Sequence, residues 1–129
     1  MSRKIVSEPT EDGETIAGLL DRYGVAAGAM HLLKMDIEGD EWPVLERAEP
    51  EQLGRFAQII CEFHSFSRAA ERTWYDRAKR VMDKLLGGFA VVHVHGNHAA
   101  PFTIVGNVPF PDILEVTFCQ PRPLPIRGE

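Results

Sequence analysis

The chain has 129 residues, room for one domain with a real core but short for a complete α/β enzyme. With 44% hydrophobic and 26% charged residues it has the composition of an ordinary soluble domain, which excludes disorder along the whole chain. A net charge of -5 without a Lys/Arg run argues against a nucleic acid held by its phosphates, and the basic stretch from Arg68 to Arg80 is diluted by Glu71, Asp76 and Asp83. The start, M-S-R-K-I-V-S-E, has no apolar signal region, and no run approaches the roughly 20 apolar residues of a spanning helix. A cytoplasmic protein without a membrane partner is therefore expected. Cys61 and Cys119 sit in apolar, strand-like runs and read as buried, reduced thiols, with a disulfide or a metal role as the alternatives.

Short strands alternate with helices, the pattern of a largely parallel sheet. Residues 4–7 make a short strand or a ragged start. Ile16, Leu19, Leu20 and Tyr23 recur at i, i+3, i+4 and i+7 and predict a helix that Gly24 ends. A strand follows at about 30–37. Asp40 is placed to cap the next helix, Pro43 fits its first turn, and Pro50 interrupts or restarts it. The run A-Q-I-I-C-E-F-H predicts a strand over 57–64. The longest helix runs from about 69 to 86, with Trp74, Ala78, Val81, Met82, Leu85 and Leu86 as a core stripe and Gly87-Gly88 as its end.

In the last third, F-A-V-V-H-V-H-G reads as a strand, then a polar turn and a Pro-rich segment lead to D-I-L-E-V-T-F-C. No helix separates these two strands, so they should pair antiparallel. The tail over 120–129, with Pro121, Pro123 and Pro125, should be extended and loosely held. No repeat or linker divides the chain, so 1–129 is read as a single domain.

Three segments carry a resemblance. K-M-D-I-E-G-D-E resembles the K-x-D-x-E-G-x-E motif after the fourth strand of FkbM-type methyltransferases. I-I-C-E-F-H resembles their fifth-strand segment, and V-H-V-H-G-N-H with P-D-I-L-E-V-T-F resembles their closing strand pair. The likeness runs from about Ile16 to Cys119. It implies a partial Rossmann-like sheet of mostly parallel strands with a C-terminal antiparallel pair, similar to the second half of a class I methyltransferase. It further implies S-adenosylmethionine as cofactor and O-methylation of a small hydroxylated or sugar-like molecule.

The glycines ahead of the motif (Gly13, Gly18, Gly24, Gly28) do not follow a strand in a G-x-G pattern. Hence no cofactor-binding residue is assigned, and the chain reads as a C-terminal half: a truncated gene, a degenerate relative or a split protein. A second copy or a partner segment would then complete the sheet. A non-catalytic interaction module and a metal-binding protein are the competing functions.

Strand alternation places Leu32, Lys34 and Asp36 on one face, and likewise Ile60, Glu62 and His64. Parallel neighbours would bring Asp36, Glu62 and His64 to one end of the sheet, where ligands of such sheets bind, with Glu38 in the loop above. One of these groups could act as general base toward a substrate hydroxyl, Asp36 being the nearest to the reacting groups. Alternatively Asp36, Glu62 and His64 could hold a divalent cation. Lys34, if buried, needs Asp36 or Glu62 as counter-ion. Glu38, Lys34, His93, His95 and Asn97 are the substrate-side candidates; His93 and His95 share a strand face, His98 lies close by, and Gly96-Asn97 should turn the chain.

Overall fold

The computed structural model describes residues 4–11, 13–24, 31–97 and 100–121. Strands β1 (Lys4–Ile5) and β2 (Gly13–Glu14) form a minimal parallel ladder. Helix α1 (Ile16–Tyr23) starts on Thr15, whose Oγ accepts the Gly18 N–H, and stops at Gly24 in the left-handed conformation, φ 62°. Ile16 and Leu20 are buried as the spacing predicts, whereas Tyr23 continues the stripe past its covered part and is 70% exposed.

After β3 (His31–Met35) the turn 38–40 leads into α2 (Glu41–Arg47), with Pro43 in its first turn. Asp40 occupies the cap position but caps nothing: its backbone is already helical, φ -77° and ψ -8°. Pro50 restarts the chain as the one-turn α3 (Pro50–Leu53). Strand β4 (Phe56–Phe63) follows, then a 3-10 turn at Phe66–Arg68 and α4 (Arg72–Leu86). Trp74, Val81 and Leu85 of the predicted stripe are buried, while Leu86 faces solvent. The last third holds β5 (Ala90–Gly96), β6 (Phe102–Val105), β7 (Val108–Pro111) and β8 (Leu114–Cys119).

The main sheet has the order β3-β4-β8-β5. β3 and β4 pair parallel, and β8 runs antiparallel to both its neighbours, including the predicted pairing with β5. The expected mostly parallel pairing is thus met in part: the sheet is mixed, with one parallel and two antiparallel ladders. The physical reason is β8, which enters from a hairpin rather than a crossover helix and so returns against the other strands. That hairpin, β6–β7, is a second, antiparallel sheet where only a Pro-rich segment was expected. Gly106 and Asn107 turn it, both left-handed at φ 55° and 67°, the conformation two-residue hairpin turns demand.

Alternation along the strands divides the main sheet into two unlike faces. Leu33 and Met35, Ile59, Cys61 and Phe63, and Val116 and Phe118 point into one core with Trp42, Leu45, Trp74, Val81 and Leu85 from the helices. Each such side chain contributes about 1.5–3 kcal/mol on burial. The opposite face carries Leu32, Lys34, Glu62, Glu115, His93 and His95, and its outer strands are exposed. Lys34 is exposed there, so the condition under which it would need a counter-ion is not met; among the described residues it pairs with neither Asp36 nor Glu62. Gln120, assigned to the loose tail, is tied down: its N–H reaches the Ala57 carbonyl, and its side-chain amide those of Gly54 and Phe56. Residues 122–129, Met30, Gly28 and His98 lie outside the described residues. Among the described residues, no helix is long and apolar enough to cross a membrane.

Candidate functional site

Parallel pairing of β3 with β4 puts Met35 opposite Cys61, so the chain leaves both strands at the same end of the sheet. Asp36 is the first residue beyond β3, and His64 the first beyond β4. Glu62, on β4, faces the same side. Nε2 of His64 stands 3.7 Å from Asp36 Oδ1 and 3.7 Å from Glu62 Oε1. These three groups, and among the described residues no other such set, bring a ligand atom each within 4.8 Å of one another.

The pose of His64 is set by Glu41, a residue the sequence reading passed over. Its carboxylate is fully buried at the first position of α2. Oε1 accepts the His64 backbone N–H at 2.6 Å and lies 3.2 Å from Nδ1, and Oε2 accepts the Gly39 N–H at 2.8 Å. A buried carboxylate needs such donors, and here the two loops of the site supply them. The His64 carbonyl in turn accepts the Trp42 indole N–H at 2.9 Å. Trp42 itself is wedged among Phe63, Phe66 and Trp74. A signal for Glu41 was present, as the last Glu of K-x-D-x-E-G-x-E.

Both loops carry unusual backbone. Glu38 is left-handed at φ 53°, Gly39 at 104°, and Ser65 at 74°. A non-glycine residue in this region costs on the order of 1 kcal/mol and is found where surrounding contacts over-determine it. Here Gly39 and His64, next to the strained residues, are both anchored on Glu41. Glu38 is exposed on its turn, outside the three-residue cluster.

The row continues across the sheet. Glu62 lies opposite Glu115 of β8, and Glu115 opposite His95 of β5. Glu62, Glu115, His95 and Asn97 line a cavity of about 200 Å³. Burial and the neighbouring Asp36 carboxyl, with which it shares a hydrogen bond, push the Glu62 carboxyl above the usual carboxylate range; His64 and the Asn97 amide oppose this more weakly. Asn97 therefore belongs to the cluster's edge, and its backbone N–H bonds Ile113 O at the return toward β8. His93 and His95 do share a face, their rings parallel within 9° and 6.4 Å apart, but the cation-capable group does not include them.

S-adenosylmethionine needs acidic surroundings for its sulfonium and free backbone amides for its adenosyl part. Asp36 and Glu62 meet the first need. Gly39, on the turn between Asp36 and Glu41, does not meet the second, because its N–H is already bonded to Glu41. The described residues therefore do not make a complete pocket for it.

Neither the curated proteins nor the solved structures contain a match to this chain. Residues 2–99, three-quarters of the length and including β3, β4 and the whole of the Asp36–Glu62–His64 cluster, match the Methyltransferase FkbM domain, and the chain belongs to that family.

Proposed function

We propose that this chain is a methyltransferase domain that methylates a hydroxyl oxygen of a small hydroxylated or sugar-like molecule, with S-adenosylmethionine as the donor its family implies. The observation that carries this reading is the meeting of Asp36, Glu62 and His64 at the ends of two parallel strands. Three of the four main strands run one way with β8 reversed between β4 and β5, which supports reading the sheet as part of a Rossmann-like methyltransferase fold. Among the described residues β3 is an edge strand, and that edge would pair with further sheet from a second copy or a partner segment that also completes the cofactor pocket. Free Cys61 and Cys119 suit a reducing compartment such as the cytoplasm.

The residues' own part is proton handling and orientation. A substrate hydroxyl seated between Asp36 and His64 Nε2 gives its proton to Asp36, the more exposed of the two carboxylates. Glu41 keeps the imidazole in register, and the Asn97 amide holds Glu62. Methyl transfer needs chiefly such orientation, and no covalent intermediate with the protein is required.

The test is transfer of labelled methyl from S-adenosylmethionine to a panel of hydroxylated metabolites. Incorporation should fall by about 10²–10⁴-fold in Asp36→Asn. A wild-type rate in that variant removes Asp36 from the role. A folded chain that transfers methyl to nothing, alone or with a supplied partner segment, overturns the reading.

A further inference from the structure

We propose that the cavity between α2 and α4 holds a phosphate-type oxyanion, and that the methyl acceptor carries it. The acceptor's part rests on the methyltransferase reading, but anion binding is testable without any methyl donor.

The cavity measures about 430 Å³, with Trp42 and Pro43 on one wall and Thr73, Trp74, Arg77 and Arg80 on the other. Spacing explains the second wall: Thr73, Arg77 and Arg80 stand at i, i+4 and i+7, so one face of α4 presents all three. Arg68, from the 3-10 turn ahead of α4, brings a third guanidinium.

Charge is one ground. The carboxylates that dilute this basic stretch are already taken in space. Glu71 pairs with Arg68 and Asp76 with Arg72, while Glu46 of α2 serves both Arg77 at 3.3 Å and Arg80 at 2.8 Å. One carboxylate cannot neutralise two guanidiniums, so positive charge is left over here in a chain whose net charge is -5.

Spare donors are another. Arg68 and Arg80 each give Nε and Nη2 to their carboxylate, and Arg77 pairs through Nε. The Nη1 group of all three is left without a partner among the described residues. The Ser65 and Thr73 hydroxyls, on the same lining, hydrogen-bond to no described residue either. Forked guanidinium donors together with hydroxyls suit the several oxygens of a phosphate, which arginine binds bidentately.

Position ties the cavity to the acceptor. His64 and Ser65 are consecutive; the imidazole faces Asp36 and Glu62, whereas Ser65 lines the cavity, as does Gly39 three residues past Asp36. The cluster and the cavity therefore share both loops. An acceptor with its hydroxyl at the cluster and its phosphate at the arginines is held at both ends, the orientation that methyl transfer needs.

Trp42 and Trp74, the chain's two tryptophans, line the cavity, so their fluorescence reports on it. Inorganic pyrophosphate titrated into the full chain should shift the emission saturably, and sodium chloride at equal ionic strength should not. Arg77→Gln, at an exposed position, should weaken pyrophosphate binding about tenfold or more. Lys79→Gln, on the other flank of α4, should leave it unchanged. No saturable response in the folded wild type, or one that Arg77→Gln leaves intact, overturns the anion site. Methyl transfer then reads the source of the anion, with each hydroxylated acceptor offered as such and as its phosphate ester. The ester should be favoured about tenfold or more in kcat/KM, with inorganic phosphate competing against it. Equal rates for the two forms, or inorganic phosphate that stimulates without competing, would make this a site for a free anion and overturn the acceptor's part. Saturable pyrophosphate binding with methyl transfer to no acceptor would uphold the anion site and overturn the acceptor's part together with the methyltransferase reading.

Discussion

Glu41 and His64 meet twice, through the backbone N–H of His64 at 2.6 Å and through Nδ1 at 3.2 Å, though 23 residues separate them. The contact ties the first turn of α2 to the end of β4 and closes the two loops around the cluster. Glu41→Ala would leave the His64 and Gly39 N–H groups without their acceptor, at about 2–4 kcal/mol for the pair. Urea unfolding should show that loss, with Glu41→Gln losing less because its amide oxygen still accepts. A midpoint for Glu41→Ala equal to wild type would mean the carboxylate organises nothing.

The same contact marks how far the sequence could be read. Asp36, Glu62 and His64 came together on paper because apolar runs give strand position, a helix between them implies parallel pairing, and a period of two gives the face. Glu41 escaped because locally it is an acidic first-turn residue favoured by the helix dipole; its burial depends on a strand that arrives 23 residues later. The burial of Lys34 stayed open for a related reason: alternation says which residues share a face, not which face is covered. The hairpin β6–β7 was hidden by Pro109 and Pro111, which argue against a central strand but are tolerated in an isolated ribbon, even though Gly106-Asn107 signalled its turn.

Lys84 closes the far end of α2. Its Nζ donates to the carbonyls of Leu45 at 2.9 Å, Glu46 at 2.5 Å and Ala48 at 2.8 Å. Burial pushes the Lys84 ammonium below its usual pKa, with Glu49 and Glu46 resisting, so these carbonyls are what keep the charge tolerable there. Lys84→Met preserves the stem and removes the bonds. It should cost about 1–3 kcal/mol in chemical unfolding, more than a typical exposed lysine. A change within about 0.5 kcal/mol would reduce the triple contact to a surface ornament.

Cys61 lies at the centre of the core, wholly buried between β3 and β8. Burial pushes its thiol well up, and the charges of Glu41, Asp36 and Glu62 add to that. Thiolate is the reactive form, so the native protein should leave Cys61 unlabelled by a thiol-specific disulfide reagent and expose it only on unfolding. Peptide mapping of the label separates it from the half-buried Cys119. Rapid native labelling of Cys61 would show that this part of the sheet opens far more readily than its packing implies.

Glu62 gives the fold a pH dependence of defined sign. Its carboxyl is raised by burial first and by Asp36 second, so between the ordinary carboxylate value and the raised one the native state holds more proton than the unfolded chain. Stability then falls as pH rises through that window. The penalty is fully present above the raised value and absent below the ordinary one. Glu62→Gln removes the titration while keeping an acceptor for the Asn97 amide. In metal-free buffer its melting temperature should exceed wild type at pH 7, and the gain should vanish near pH 4. Equal melting temperatures at both pH values would mean that the Asn97 amide and His64 already offset the full cost of placing this charge beside Asp36.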